Sequence, residues 1–281
     1  MAIEEILDLE QLEINIFRST VVSATAGNRN RAFGGRVAGQ SLVSAVRTVE
    51  PRYQVHSLHG YFLRPGDPLA PTVFLVERVR DGGSFCTRRV SAVQHGESIF
   101  HMQASFQTAQ QGISHQDAMP TAPAPNDIPH IDSMIAFDDE GFKQFEEWDL
   151  RRVPRDQLPH IPGKVAEQQV WFRHRDRLPD DPVLHICALA YMSDLSLLGT
   201  SWSIHPEERD RLQVASLDHA MWFIRPFRAD EWLLYDQSSP SAYAGRALCQ
   251  GKIYRRSGEM VAAVMQEGLT RYPHVTKPAA Q

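Results

Sequence analysis

The chain has 281 residues, enough for one large domain or two of ordinary size, and 42% of them are hydrophobic against 22% charged, the balance of a globular protein. A formal net charge of −5 gives no whole-chain attraction to nucleic acid or to an anionic membrane surface. Three widely spaced cysteines, Cys86, Cys187 and Cys249, include no CxxC pair and suit reduced thiols rather than a disulfide framework.

The start, MAIEEILDLEQLEI, is acidic and has no basic segment leading into an apolar run, so no secretory signal is read there and the cytoplasm is the expected compartment. Ala2–Leu9 predicts a short amphipathic helix. Gln11–Arg18 alternates, with Leu12, Ile14 and Ile16 on one side, as a half-buried strand does. Gly34-Gly35 opens a helical pattern that puts Val37, Ser41, Leu42, Ala45 and Val46 on one face, and Pro51 follows its end. Two readings fit the glycines. They could let a ligand reach the free backbone N–H groups at a helix start, or they could let the helix pack closely on a sheet. No Lys-Ser/Thr follows at the spacing of a phosphate loop.

From His56 to Gln107 the text is strand and turn: HSLHGYFLR, PTVFLVERV, SFCTRRVSAVQ and ESIFHMQASFQ, separated by PGDPLA, RDGG and HGE. Tight turns between such runs predict antiparallel pairing. Residues 108–166 change character, with Pro120, Pro123, Pro125 and Pro129 among polar residues, and read as a linker lying extended on a surface. Within it Phe137–Trp148 predicts one short helix. A strand over Gln169–Arg175 follows, then an apolar helix, then the strand series VASLDHAMWFIRP, EWLLYDQSS, AYAGRALCQGKIYRR and MVAAVMQEGLTR. The chain ends in PAAQ, which carries no peroxisomal or retention address.

The apolar helix, Leu184–Leu198, is the central stretch. At 1.5 Å per residue it is roughly 22 Å long, too short to cross a bilayer, so it belongs in a protein core. Asp194 is its single ionisable acid. A carboxylate there must find donors or be used in chemistry. The alternative is an Asp that caps a second helix starting at Leu195.

The two halves of the chain rhyme. Phe62-Leu63-Arg64-Pro65 returns as Phe223-Ile224-Arg225-Pro226 at an offset of 161, and Gly96-Glu97 as Gly258-Glu259 at 162. Such a period is a domain duplication. The predicted fold class is α+β, with two units side by side, each an antiparallel sheet wrapped on one buried helix. The first helix carries only Arg36 and Arg47 as charges, so only the second half should hold a catalytic acid.

Near Asp194 in such a fold, Ser216 and Gln266 stand out as polar residues in strands otherwise destined for burial. Together the three could hold a water towards an acyl carbon, though Ser216 also reads as a strand edge and Gln266 as a strand end. Asp218 and His219 are adjacent on a strand and should point to opposite faces, which puts Ser216 with Asp218 and His219 apart. His56 and His59 gain no further ligand, so no metal is expected. Arg88-Arg89 and Arg255-Arg256 could meet phosphates or be solvated strand ends. No G-x-S-x-G elbow occurs.

These features resemble the acyl-CoA thioesterase II (TesB-like) family of double-hotdog enzymes. The matching text is FGGRVAGQ (33–40), YFLRPGD (61–67), DGGSF (81–85) and ASFQ (104–107) in the first half. In the second it is SDL (193–195), SLDHAMWF (216–223), EWLLY (231–235) and QEG (266–268), in family order from about residue 5 to 272. The resemblance implies two tandem hotdog domains, 1–107 and 167–281, joined by the 108–166 linker. It implies hydrolysis of medium- to long-chain acyl-CoA to fatty acid and CoA by an activated water, with the catalytic roles falling on Asp194, Ser216 and Gln266. Coenzyme A is then part of the substrate and no cofactor is expected; the resemblance also implies a homo-oligomer, dimer or tetramer. Two positions depart from the family pattern: Arg36, where Gln is usual, and Ile224, where His is frequent. The rival readings are a hotdog hydratase or dehydratase, which would want a His on the inward side, and a non-catalytic acyl-CoA-binding protein.

Overall fold

A computed structural model describes residues 2–19, 31–130, 145–159 and 163–273. The first half contributes α1 (Ile3–Leu7), β1 (Leu9–Glu13), β2 (Ile16–Ser19), α2 (Gly34–Val46), β3 (Tyr53–Phe62), β4 (Val73–Asp81), β5 (Phe85–Gln94) and β6 (Glu97–Thr108). The second contributes β7 (Trp148–Arg152), β8 (Ala166–His174), α3 (Pro182–Ser193), β9 (Gln213–Ser216), β10 (Asp218–Phe223), β11 (Leu233–Tyr243), β12 (Arg246–Arg255) and β13 (Met260–Arg271). All the described strands join one antiparallel sheet, in the order β1-β2-β4-β5-β6-β3-β10-β13-β12-β11-β8-β7, with β9 beside β13. The sheet curls round α2 and α3, each buried along most of its length. This is the double hotdog.

Alternation along β6 explains the packing. Phe100, Met102, Ala104 and Phe106 are buried against the helices, while His101 and Gln103 face out. Burying one such Phe or Met contributes about 1.5–3 kcal/mol relative to exposure.

The duplication extends to single hydrogen bonds. Leu63 N donates to Ile99 O over 2.9 Å, and its counterpart Ile224 N donates to Val261 O over 2.8 Å. Arg64 Nη1 donates to Ser98 O and Arg225 Nη1 to Met260 O, both at 2.9 Å. The halves meet where β3 pairs with β10, Tyr61 opposite Asp218 and Ser57 opposite Trp222.

Four details differ from the sequence expectations. Gln11–Arg18 is a hairpin instead of one strand: Asn15 adopts φ 63°, which reverses the chain and leaves Leu12 and Ile14 exposed. The central helix runs Pro182–Ser193. Asp181 caps its start by accepting from Val183 N over 2.9 Å, and Asp194 is its last, C-capping residue. A short 3₁₀ turn at Leu198–Trp202 follows, so Asp194 does not open a second helix at Leu195. The apolar stretch Pro182–Trp202 has the length and composition of a membrane span, yet most of its apolar window is buried inside the protein.

The segment 108–166 is not wholly a linker. β7 lies within it and pairs with β8 at the sheet edge, burying Trp148 and Leu150. Residues 119–128 cover one face of the second half, where Ile128 joins Trp171, Trp232, Leu234 and Tyr254 in a small second core. Trp171 Nε1 donates to Pro123 O over 2.9 Å there. Residues 137–144 of the expected helix lie outside the described residues, and Trp148 begins the strand instead.

Candidate active site

Asp194 sits where α3 ends, at the level where α2 begins. The two helices cross closely because Gly35 and Gly39 face Tyr191 and Cys187. A Cβ on Gly35 would lie 2.0 Å from the Tyr191 carbonyl oxygen, and one on Gly39 3.2 Å from that of Cys187. This close approach sets Gly35 N 3.0 Å from Asp194 Oδ2, to which it donates. The first-turn amides of a helix carry partial positive charge and favour a carboxylate. The close-packing reading of the glycines therefore holds, and the amide expected to be open to a ligand is taken instead by the protein's own Asp194 carboxylate. Gly34 serves the same approach, since a Cβ there would lie 2.7 Å from Asp194 Oδ2.

The other carboxylate oxygen faces the sheet. Ser216 Oγ donates to Asp194 Oδ1 over 3.2 Å, and Gln266 Nε2 donates to the same oxygen over 2.6 Å. Gln266 is fully buried, and its Oε1 has no hydrogen-bond partner among the described residues. The structure thus brings together the three residues picked from the sequence and adds the Gly35 amide, signalled only by the Gly-Gly pair at a helix start.

His219 overturns one expectation. Ser216 lies opposite Gly268 on β13, but Ala220 lies opposite Met265, so four residues on one strand span three on the other. This β-bulge at Leu217-Asp218 breaks the alternation. His219 is consequently fully buried and shares the inner side with Ser216, while Asp218 turns away and accepts from Glu267 N over 2.6 Å. His219 Nε2 pairs with Ser193 Oγ at 2.8 Å, and Nδ1 has no partner among the described residues. Burial lowers the His219 pKa, opposed by the charges of Asp194 and Asp218, so the ring is neutral at pH 7. Its hydrogen bond goes to the serine preceding Asp194, and no described hydrogen bond links it to the carboxylate.

The first half has lost the same site. By the repeat offsets, Val55 replaces Ser216 and Ala104 replaces Gln266; the Val55–Phe106 and Arg88–Ala104 pairs stand where Ser216–Gly268 and Cys249–Gln266 do. Even the bulge recurs, between Val55 and Ser57. Arg88 fills the position, 2% exposed, donating to Thr48 Oγ1 at 2.9 Å, Thr48 O at 3.1 Å and Asp81 Oδ1 at 2.6 Å. Its donors are used internally, which removes it as a phosphate ligand. Arg89 pairs with Glu77, and Arg255 with Glu231 and Glu259.

Two cavities meet at Ser216. One, of about 480 Å³, is lined by Asp194 and by Leu150, Phe172, Met192, Leu198 and Trp202 in the second half. The other, of about 590 Å³, is lined by Phe33, Gly34, Phe62, Leu63 and Ile99 in the first. Cys249 lies beside Gln266, but burial pushes its thiol up to about 11, too high for a thiolate nucleophile at neutral pH. Among the described residues no three His, Cys, Asp or Glu side chains group as a metal site. Of the two departures from the family pattern, Arg36 is half-buried near Tyr191, and burial lowers its pKa. Ile224 is 43% exposed, outside the group around Asp194.

Comparison with known proteins identifies the family. Residues 139–269 match the family model described as acyl-CoA thioesterase, and residues 22–107 match that of the acyl-CoA thioesterase N-terminal domain. The chain is 38% identical to acyl-coenzyme A thioesterase 8 of Homo sapiens, over 95% of this chain and 88% of that protein. It is 72% identical to an acyl-CoA thioesterase II of Mycobacterium marinum, whose crystal structure superposes with a TM-score of 0.87 over 97% of this chain and 99% of that one. A protein of unknown function with a hot dog fold from Alicyclobacillus acidocaldarius superposes with a TM-score of 0.80 at 21% identity, over 98% and 99% of the two chains, a likeness of fold alone.

Proposed function

Because the chain belongs to the acyl-CoA thioesterase II (TesB-like) family, we propose that Asp194, Ser216 and Gln266 carry out its reaction: acyl-CoA and water give fatty acid and CoA. The observation that carries the assignment is the pattern of used and unused acceptors around Asp194. A carboxylate has about four acceptor sites. Gly35 N occupies one on Oδ2, while Ser216 Oγ and Gln266 Nε2 occupy two on Oδ1, which leaves a site on Oδ2. Ser216 points its hydroxyl hydrogen at Asp194, so the lone pairs of its oxygen can accept, and Gln266 Oε1 is an acceptor without a partner among the described residues. A water placed among these acceptors directs its hydrogens into the trio and its lone pair outward.

The water oxygen then attacks the thioester carbon, and its proton passes to Asp194. Collapse of the tetrahedral species breaks the C–S bond, and the CoA thiolate takes the proton back from Asp194. General-base assistance of this kind contributes roughly 10²–10⁴-fold. No cofactor enters the scheme.

The two cavities support one substrate arm on each side of Ser216, and their volumes fall within the roughly 300–1,000 Å³ of small-molecule sites. The largely apolar lining of the 480 Å³ cavity favours a medium to long acyl chain. Outside the site, Tyr61, Leu75, Phe85 and Trp222 are exposed on the outer face of the sheet, which supports a homo-oligomer. The reduced-thiol pattern supports a cytoplasmic enzyme, with all three cysteines buried and free.

A single turnover in ¹⁸O-water tests the mechanism. Direct water attack places the label in the fatty acid. Label in the Asp194 carboxylate, with unlabelled acid released first, would mean that Asp194 attacks the thioester itself.

A further inference from the structure

The cavity that reaches Asp194 has a second chemical feature that the hydrolytic scheme leaves unused. Arg152, the last residue of β7, forms part of its wall, and Arg209, on the 3₁₀ turn Pro206–Arg211, forms another part. Arg152 lies opposite Val170, which lies opposite Tyr235, then Ile253, then Ala262 on β13. Four strand spacings therefore separate it from the strand of Gln266, roughly 19 Å along the curled sheet.

Neighbouring arginines have partners. Arg151 donates to Asp149 Oδ1 at 2.7 Å and to Ile128 O at 2.7 Å; Arg155 donates to Ser203 O at 3.1 Å; Arg211 pairs with Glu208 at 3.2 Å. Arg152 is half-buried, and its side chain makes no hydrogen bond or ion pair among the described residues. Burial and the like charge of Arg209 both lower its pKa. A guanidinium is weakly hydrated and presents a planar fork of donors suited to phosphate or carboxylate. Arg209 has an interaction of its own, whereas a half-buried guanidinium without a partner, as at Arg152, is unfavourable unless an anion shares the place.

We propose that Arg152, with Arg209 beside it, is an anion-recognising subsite of the substrate cavity, engaging anionic oxygens of the acyl-CoA at the end opposite the thioester. With the acyl chain in this cavity those oxygens are a carboxylate at its far end; with the two arms exchanged between the cavities they are a phosphate of the CoA moiety. The inference rests on the acyl-CoA thioesterase reading, and it makes Arg152 a specificity-determining residue that does not touch the reacting atoms.

The test compares wild type with Arg152→Gln and Arg152→Lys on three substrates. These are decanoyl-CoA, decanoyl-pantetheine (which lacks the phosphates) and an ω-carboxydecanoyl-CoA, all followed by thiol release. Loss of a charge-assisted contact raises KM about tenfold or more in Arg152→Gln, with kcat little changed and partial recovery in Arg152→Lys. A rise with both CoA esters but not with decanoyl-pantetheine identifies a CoA phosphate. A rise confined to the ω-carboxy ester identifies the chain-end carboxylate. No rise, or an equal rise with all three, overturns the subsite. Salt dependence of the wild-type KM gives the same discrimination without a variant: it should be steep for the charged substrate that uses the subsite and shallow for the others, and uniformly shallow dependence overturns it. Failure of wild type to hydrolyse decanoyl-CoA would instead count against the functional reading itself.

Discussion

Gly35 N donates to Asp194 Oδ2 over 3.0 Å, joining residues 159 apart in the chain across the crossing of the two core helices. The contact makes the site a joint product of both halves. The second half supplies the acid and its two sheet partners, and the first supplies the helix start that holds the carboxylate in place.

The consequence is sharpest at Gly34. An alanine Cβ there would sit 2.7 Å from Asp194 Oδ2. Gly34→Ala should displace the carboxylate by a few tenths of an ångström or more and lower kcat by up to about 10²-fold. Thermal melting should move far less than for Gly35→Ala, whose Cβ meets the Tyr191 backbone at 2.0 Å and forces the helices apart at about 1–3 kcal/mol or more. Steady-state kinetics and melting on the two variants separate these effects.

Ser216→Ala removes one donor to Asp194. A hydrogen bond to a charged group contributes about 1.5–3 kcal/mol, so kcat should fall about 10- to 100-fold. Ser216→Thr keeps the hydroxyl and should stay near wild type. Equal losses in the two variants would mean that side-chain volume, and not the hydroxyl, matters at this strand end.

Arg88→Met probes the vanished site of the first half. Losing the buried charge-assisted hydrogen bonds to Thr48 should destabilise the fold by about 1.5–3 kcal/mol, read as a lower denaturant midpoint. At temperatures where the variant is folded, kcat should be unchanged, because Arg88 lies in the other half of the sheet from Asp194.

His219 predicts a pH dependence of stability. Burial holds its folded pKa below the unfolded value of about 6.5, so the folded state favours the neutral ring. The contribution is fully present above pH 6.5 or so and is lost as pH falls towards the folded pKa, because the unfolded chain binds the proton first. His185, likewise lowered by burial, adds to the same acid limb. Denaturant unfolding between pH 7 and pH 5 should therefore show falling stability, and His219→Gln should make that slope shallower. An unchanged slope in the variant would remove His219 from the account.

Much of this architecture is legible in the sequence. The FLRP and FIRP segments announce the duplication, and their backbone bonds to Ile99 and Val261 are its physical form. The alternation of Phe100 to Phe106 announces a strand with one buried face. The trio shows faintly in the residues, as one acid in an apolar helix and two polar groups in strands destined for burial, and the family resemblance is what singles it out. What stays hidden depends on single-residue geometry. One residue of bulge at Leu217-Asp218 swaps the faces of Asp218 and His219, and one residue of positive φ at Asn15 folds a strand into a hairpin. β7 hides because Trp148 and Leu150 follow a proline-rich stretch and gain their burial only from pairing with β8.

The central claim is that Asp194 activates the water, and kcat of Asp194→Asn on a saturating acyl-CoA tests it most directly. The substitution keeps the shape and one acceptor oxygen but removes the base. The account predicts a folded protein with kcat lower by about 10³-fold and a KM within a few-fold of wild type. Turnover within a few-fold of wild type in that folded variant would contradict it.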